Sequence, residues 1–432
     1  MKGKKTTRAG KNQKKEIELL EKIIDSSPDK ARVLISAGVL IEHIKNLSPI
    51  THIWGKFPPQ AVLAKELTAR LLKAAINPSK TVYTTAFGPY EILNSMKVNP
   101  MMWEAYAVIA AGLGLSNYFL ETAEINGIPR TMCSYHRASL GVILSGIVPK
   151  PAAFITPSIP CDGNAIVPQF IKEVLGIPVF IIDVPAEEGP AEVEYLSSQL
   201  RNMVEFIEKT TGAKFSLSKL QKAIEMENRT VELYREYRKL RKEKIPPVPP
   251  SSRLITFFQT VTLFAGTKTS YTFYKNALKF SDKHIPLEKE KKKLIWMHFM
   301  PHYPTHIDEI LESYDLEVVF EEINNIWWET LDPQRPFESL ARKMIRNYFN
   351  RRPEERARIV NQIVEEFEAD GVIHFAPWGC KQTSGAITVV ERSLQVPFLN
   401  LDGDCIDVKS YTPGQTRTRL ESFAESLSNR TN

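Results

Sequence analysis

The sequence predicts an α/β fold: two parallel-sheet domains, Rossmann-like or flavodoxin-like, joined by a helical connector and preceded by a helical lead-in. In the first half, short apolar runs at 152–156 and 179–183 enclose an amphipathic stretch at 165–175. This βαβ pattern indicates a parallel sheet. A similar alternation of apolar runs and helical patterns begins at residue 294. Between the halves, residues 191–290 are rich in Glu, Lys and Arg at helical spacing, which is typical of a helical connector.

These patterns divide the chain into five expected segments. They are a disordered basic tail at 1–15, the helical lead-in at 16–79, the first α/β domain at 80–190, the connector at 191–290 and the second α/β domain at 291–432. Further strands are expected at 316–320, 372–375 and 396–401, and a closing helix at 416–427. The amino-acid patterns show no internal repeat.

Composition indicates a soluble globular protein, with 43% hydrophobic and 25% charged residues among 432. No apolar run approaches the roughly 18 to 20 residues that a membrane span needs, and no apolar segment follows the lysines at the N-terminus. We therefore expect a cytoplasmic protein without a membrane partner. Four cysteines with no paired spacing argue against a disulfide framework.

The positive charge is concentrated at the N-terminus. The formal net charge is +6, but residues 1–15 carry seven Lys and Arg and no acid, so the rest of the chain has a net charge of −1. A basic tail of this kind binds polyanions weakly and without sequence specificity. We expect no specific nucleic-acid partner.

Three of the four cysteines lie in loops rich in Gly, Pro or small polar residues. Cys380 and Cys161 each follow an apolar strand and precede a helix, and Cys133 lies in the segment 131–137. A helix N-terminus and the neighbouring Lys381 would stabilise a thiolate at Cys380. Three thiolates can hold an iron-sulfur cluster and leave one iron open to act as a Lewis acid. The alternative is that all three are inert, buried thiols.

Two further loops carry candidate polar residues. Thr84, Thr85 and Glu91 follow a short β-prone run and are candidate catalytic residues, although either hydroxyl could equally serve as a turn or cap residue. The acidic loop 402–407 lacks the regular ligand pattern of a calcium site, and we expect it to line the same cleft as the cysteines.

Three histidines, His298, His302 and His306, are spaced by four residues, which on a helix would align them for a metal. Pro301 and Pro304 exclude a continuous helix here, so the spacing is interpreted as accidental.

Taken together, these motifs resemble the benzoyl-CoA reductase / 2-hydroxyacyl-CoA dehydratase family over roughly residues 80 to 430. The motifs that carry the resemblance are Cys133-Ser-Tyr-His-Arg137, Pro160-Cys-Asp-Gly163, Trp378-Gly-Cys-Lys-Gln-Thr-Ser-Gly385, Leu401-Asp-Gly-Asp404, and in the connector 211–216 and 227–229. Each motif is weak alone, but their order is specific.

The resemblance implies a cofactor and partners. One 4Fe-4S cluster would be bound by Cys133, Cys161 and Cys380, with one open iron, and Cys405 would be a free thiol. This chain would be the larger, alpha-type subunit of a heterodimer with a related smaller subunit, and an ATP-dependent activator protein would donate one electron. Lys381, Gln382 and Ser384 are the expected substrate-binding residues.

The resemblance leaves three functions open. The first is an oxygen-sensitive hydro-lyase of anaerobic metabolism, which removes water from a (R)-2-hydroxyacyl-CoA through a ketyl radical. The second is a subunit of a dearomatising benzoyl-CoA-type reductase. The third is a cluster-bearing electron-transfer protein without its own substrate. A flavin is possible but not indicated, because no G-x-G-x-x-G motif follows a strand.

Overall fold

The computed structural model describes residues 3–32 and 57–429. The predicted fold class is confirmed, because the chain contains two four-stranded parallel sheets packed against helices. None of the helices in these two ranges is long and apolar enough to cross a lipid bilayer.

The first sheet is built from four short buried strands. They are β1 (Thr81–Thr84), β2 (Asn99–Met102), β3 (Ala153–Pro157) and β4 (Val179–Ile182). Their order is β2-β1-β3-β4, with every pair parallel. In the connector, β5 (Lys244–Ile245) and β6 (Ile285–Pro286) form a small antiparallel pair.

The second sheet repeats the topology of the first. Its strands are β7 (Lys292–Met297), β8 (Leu316–Glu321), β9 (Gly371–Pro377) and β10 (Phe398–Gly403). Their order, β8-β7-β9-β10, is that of the first sheet, and all pairs are again parallel. Each sheet therefore reverses its winding direction between its first and third strands, and ligands of open α/β sheets bind at the carboxyl ends of such strands.

Sixteen α-helices are described in the two resolved ranges. The lead-in and first domain contain α1 (Gly3–Ser26), α2 (Gln60–Ile76), α3 (Tyr90–Ser95), α4 (Glu104–Gly112), α5 (Ser116–Ile125), α6 (Ser134–Leu144) and α7 (Gly163–Leu175). The connector contains α8 (Pro190–Thr211), α9 (Leu217–Leu240), α10 (Pro250–Val261) and α11 (Lys268–Lys279). The second domain contains α12 (Ile307–Ser313), α13 (Pro336–Ile345), α14 (Pro353–Phe367), α15 (Lys381–Ser393) and α16 (Pro413–Ser428).

The helix boundaries follow local sequence signals, and α7 illustrates this. It ends at Gly176, whose φ of +63° is the left-handed conformation that glycine adopts without a steric penalty. The observed helix begins two residues before the predicted stretch 165–175. Helix α1 starts at Gly3 and so includes most of the basic segment 1–15, for which the sequence suggests a disordered tail.

Buried ion pairs connect the connector to both domains. Lys343 on α13 contacts Glu91 of the first domain and lies 3.6 Å from Glu227 of the connector, and all three side chains are buried. In the same way Arg241, the residue that follows α9, donates a 2.7 Å hydrogen bond to Glu321 at the end of β8. Breaking such a pair leaves an uncompensated charge in the protein interior.

We expect Lys343→Met to lower the free energy of unfolding by about 3–5 kcal/mol, because it leaves two carboxylates buried without a cation. Chemical denaturation would measure this. The matched control is Lys409→Met, which removes an exposed pair with Glu121 at 2.8 Å and should cost at most about 1 kcal/mol. Equal losses for the two variants would contradict the assigned role of Lys343.

Candidate functional site

Three cysteines from separate loops line one cavity of about 120 Å³. Cys133, Cys161 and Cys380 are 28 and 219 positions apart in sequence, and each is only partly exposed. Loops after β1 and β7 also contribute to the lining, through Phe87 and His298. The switch points of both sheets therefore face the same cavity.

Each of the three cysteines lies at the N-terminus of a helix. Cys133 and Cys380 immediately precede α6 and α15, and Cys161 lies two residues before α7. Backbone N–H groups in the first turn of each helix lower the pKa of the neighbouring thiol. Three helix N-termini thus direct partial positive charge at the three sulfur atoms.

Burial nevertheless has the largest effect on the pKa of these thiols, and it raises the pKa of all three. It raises the pKa of Cys133 well above the ordinary value, and the charges of Cys380 and Cys161 raise it further. For Cys161, burial is again the main cause, and its pKa is raised to about 11. Without a cation the thiols therefore remain protonated at neutral pH, whereas a coordinated metal deprotonates them.

The donor set fits an iron-sulfur cluster. Within the described ranges, no group of three or more His, Cys, Asp and Glu side chains is arranged to hold one metal ion. A cluster does not require this, because each cysteine binds a different iron. Three soft thiolates in one cavity are the ligand type that selects such clusters.

Two glycines allow the cysteine loops to approach closely. A Cβ on Gly379 would lie 2.8 Å from Cα of Cys133 and 3.1 Å from the carbonyl oxygen of Met132. A Cβ on Gly163 would lie 2.7 Å from Nε2 of His136 and 3.5 Å from Sγ of Cys161. Any larger residue at these positions would push the loops apart.

Glu104 also lines the cavity, although no sequence motif points to it. It is the first residue of α4, two residues after β2 ends. Its Oε1 accepts a 3.2 Å hydrogen bond from the backbone N–H of Ala86, and its buried Oε2 has no hydrogen-bond partner. Burial raises its pKa to about 8, so the carboxyl group is mostly protonated at pH 7.

Three histidines face the same cavity. His298 has a φ of +69°, unusual for a residue with a side chain, and its buried Nδ1 has no partner. His302 Nε2 lies 2.7 Å from the hydroxyl of Tyr135, and His136 stacks on Trp103 with ring centroids 5.3 Å apart. Burial lowers the pKa of His302 and of His136 to about 4, so both are neutral at pH 7.

The spacing of His298, His302 and His306 does not correspond to a helix, in agreement with the sequence-based interpretation. No helix includes residues 298–306, as Pro301 and Pro304 predict, but His298 and His302 still line one cavity. An irregular loop after β7 brings them together. His306 lies outside the cavity and contacts Glu309 at 3.2 Å.

The three candidate residues of the first loop lie behind the cavity lining. Thr84 is buried at the end of β1, and its hydroxyl has no hydrogen-bond partner. Thr85 accepts hydrogen bonds through its carbonyl from Tyr90 and through its hydroxyl from Asn164. Glu91 is buried in the ion pair with Lys343. Their neighbours Ala86 and Phe87 form the cavity wall instead.

The three expected substrate-binding residues lie on α15, but their side chains face different surfaces. Gln382 lines the cavity. Lys381 is exposed, with its Nζ 5.1 Å from the ring centroid of Trp378, and Ser384 lines a separate surface pocket. The positive charge that lowers the pKa of Cys380 comes from buried Arg356 rather than from Lys381.

The acidic loop 402–407 supports a cysteine helix and does not line the cavity, which corrects the expectation for it. Asp404 accepts hydrogen bonds from Ser134 at 2.6 Å and from the backbone N–H of Ile406 at 2.8 Å. Cys405 is fully buried and lies outside the cavity lining, and its Sγ is 3.6 Å from the carbonyl oxygen of Phe299.

Comparison with known proteins gives concordant matches. The family described as 2-hydroxyglutaryl-CoA dehydratase, D-component, matches residues 85–427. The chain is 22% identical to the (R)-phenyllactyl-CoA dehydratase alpha subunit of Clostridium sporogenes over 82% of its length and 91% of the relative. It is 20% identical to the (R)-2-hydroxyisocaproyl-CoA dehydratase alpha subunit of Clostridioides difficile, over 85% and 95%. It is 22% identical to the lactoyl-CoA dehydratase subunit alpha of Anaerotignum propionicum, over 80% and 90%.

We expect Gly379→Ala to displace the Cys133 loop, because the new methyl group would overlap backbone atoms that cannot rotate away. The expected result is a free energy of unfolding lowered by about 1–3 kcal/mol, measured by chemical denaturation. The matched control is Gly385→Ala on α15, where a Cβ meets nothing within 4 Å and which should not lower the free energy of unfolding. An unchanged free energy of unfolding in Gly379→Ala would contradict the assigned close packing.

Proposed function

The chain belongs to the 2-hydroxyglutaryl-CoA dehydratase, D-component, family, and on that premise we propose that it is the iron-sulfur subunit of a (R)-2-hydroxyacyl-CoA dehydratase. The observation that carries the proposal is the convergence of Cys133, Cys161 and Cys380 on one cavity. The three relatives are alpha subunits of dehydratases, which favours this activity over aryl-CoA reduction.

The proposed reaction removes the 2-hydroxyl group and a hydrogen from C3, so that a 2-hydroxyacyl-CoA becomes a 2-enoyl-CoA and water. The overall change is redox-neutral, because the electron that starts the reaction is recovered at its end. When bound, the cluster would supply that electron and one iron without a protein ligand. The electron comes from an ATP-dependent activator protein, and a related subunit completes the enzyme.

The chain itself supplies groups that would compensate the negative charge of three thiolates. The N–H groups of α6, α7 and α15 lie at the sulfur atoms, and the guanidinium group of Arg356 favours the anionic form of Cys380. Arg356 is held in place by Glu322, at 2.8 and 3.2 Å, and donates a 3.0 Å hydrogen bond to Thr383. These contacts hold the guanidinium group of Arg356 in one position outside the cavity lining.

Glu104 is the residue best suited to donate a proton to the substrate. One of its oxygens is fixed by the N–H of Ala86, and the other is buried without a partner. A protonated carboxyl can donate to the departing hydroxyl group, which leaves more readily as water. Neutral His298 and His302 border the same space, where burial lowers the pKa of both and so keeps them unprotonated.

We expect Cys380→Ala to lose most of the cluster, because only two of the three ligands remain. The measurement is iron and acid-labile sulfide per chain, with the visible spectrum, on protein purified without oxygen together with its partner subunit. About four of each are expected in the unmodified protein. The control is Cys405→Ala, which removes a buried thiol outside the cavity and should keep the full metal content. A colourless, iron-free complex before mutation would overturn the proposal.

We expect Glu104→Gln to reduce kcat by about 10² to 10⁴-fold, the usual contribution of general acid–base catalysis, while iron content stays unchanged. Because the pKa of Glu104 is about 8, the kcat of the unmodified enzyme should decrease as the pH rises through 8. The variant should lose this step of the pH profile. If Glu104→Gln kept the same decrease of kcat above pH 8, another group would be responsible for it and the role proposed for Glu104 would be wrong.

A further inference from the structure

We propose that the cavity selects 2-hydroxyacyl groups with an apolar side chain, branched or aromatic, and rejects groups that carry a second carboxylate. This inference rests on the proposed function, because it concerns the acyl group bound at the same site. It is carried by the side chains that line the cavity and by the positions of the buried charges around it.

Most of the cavity wall away from the cysteines is apolar. The side chains that matter most are contributed by the loop after β1, by α4, by α10, by the loop after β7 and by the segment before α14. They are Phe87, Val108, Ile255, Phe258, Phe299 and Phe349. A surface of this composition binds an acyl side chain by excluding water from both partners.

The aromatic side chains form a continuous wall. The ring of Phe87 lies 5.9 Å from Phe349 and 6.0 Å from Phe258 between centroids, and Phe258 packs edge-on against Phe299 at 4.9 Å. Phe299 in turn lies 6.0 Å from the ring of Tyr135. These edge-on and tilted contacts hold each ring in place, so the wall is preformed and presents ring edges and faces to the acyl group.

Within residues 3–32 and 57–429, the cavity lining contains neither Lys nor Arg. Two buried cations that contact the aromatic residues of this region, Arg356 and Lys343, are each paired with carboxylates. The guanidinium of Arg356 lies 4.6 Å from the ring centroid of Phe349, and Glu322 binds it through both carboxylate oxygens. A second carboxylate on the substrate would therefore find no counter-ion in this wall.

Lys343 is likewise separated from the cavity by aromatic rings. Its Nζ lies 5.3 Å from the ring centroid of Trp327, which packs edge-on against Phe87 at 5.4 Å. Glu91 and Glu227 flank the ammonium group on the far side. Two carboxylates already compensate this cation, so it contributes no net attraction for a substrate anion.

The burial of a second carboxylate adds to the discrimination. An unpaired carboxylate is costly to move from water into an apolar cavity, and the lining provides no cation to compensate it. An isobutyl or benzyl group does not meet this cost and fills the space between the rings.

The test is a binding and turnover comparison with four thioesters: (R)-2-hydroxyisocaproyl-CoA, (R)-phenyllactyl-CoA, (R)-lactoyl-CoA and (R)-2-hydroxyglutaryl-CoA. Calorimetric titration of the anaerobic two-subunit complex without the activator measures affinity in the absence of turnover. We expect the first two to bind at least tenfold more tightly than lactoyl-CoA, since each added methylene in an apolar pocket is worth about 10-fold or more. We expect 2-hydroxyglutaryl-CoA to bind about a hundredfold more weakly than either.

A substitution that reduces the cavity volume tests whether the acyl side chain binds in this cavity. Val108 on α4 is only half-buried and faces the cavity, so Val108→Phe should reduce kcat/KM for the two bulky substrates by at least tenfold and for lactoyl-CoA much less. The matched control is Ile109→Phe, because the next residue of the same helix faces a separate apolar groove. That variant should retain the unmodified substrate preference.

The outcomes separate this inference from the function on which it rests. Equal or tighter binding of 2-hydroxyglutaryl-CoA or lactoyl-CoA would overturn the apolar specificity and leave the dehydratase proposal intact. Failure of all four thioesters to bind more tightly than free CoA, to a complex with a full cluster, would overturn the proposed function itself.

Discussion

The interaction on which the site depends is the burial of three thiols, whose ionised forms repel one another, at the N-termini of three helices. The charge of Cys380 raises the pKa of Cys133 and of Cys161, and burial raises the pKa of all three. Helix dipoles and the charge of Arg356 compensate this repulsion only where the helix starts meet. The topology provides that meeting point. Cys161 and Cys380 follow the third strands of two sheets with the same strand order, and Cys133 begins a helix between β2 and β3.

The rest of the architecture keeps these loops together. Gly379 allows the Cys380 loop to contact the backbone of Cys133, and Asp404 binds Ser134, the first residue of the Cys133 helix. Buried ion pairs from the connector, such as Arg241 with Glu321, fix the ends of the second sheet. A buried pair contributes little net stability over an apolar contact, but it allows only one arrangement of its partners. That property suits a site assembled from distant parts of the chain.

The sequence was sufficient to predict the α/β class and the three cysteine loops, because strand–loop–helix patterns are local and cysteines are conspicuous within them. It was not sufficient for Glu104 or His298. Glu104 follows β2, whose sequence Asn-Pro-Met-Met lacks the β-branched residues that indicate a strand, so its position at a sheet end was not recognised. His298 depends on an irregular loop with a positive φ. Thr84 and Thr85 were in the right loop, but which side chains of a loop face a cavity depends on tertiary packing.

The charge distribution explains how one cavity can combine three thiols with an apolar wall. Cations near it are paired behind aromatic rings, as Arg356 is behind Phe349, and the histidines that face it are neutral. The cavity lining is therefore close to neutral at pH 7, which is the state that an apolar interior tolerates. Under the proposed function, cluster binding must then release about three thiol protons, so affinity for the cluster decreases as the pH falls. The burial of the three thiols thus makes their ionised form dependent on a coordinated metal.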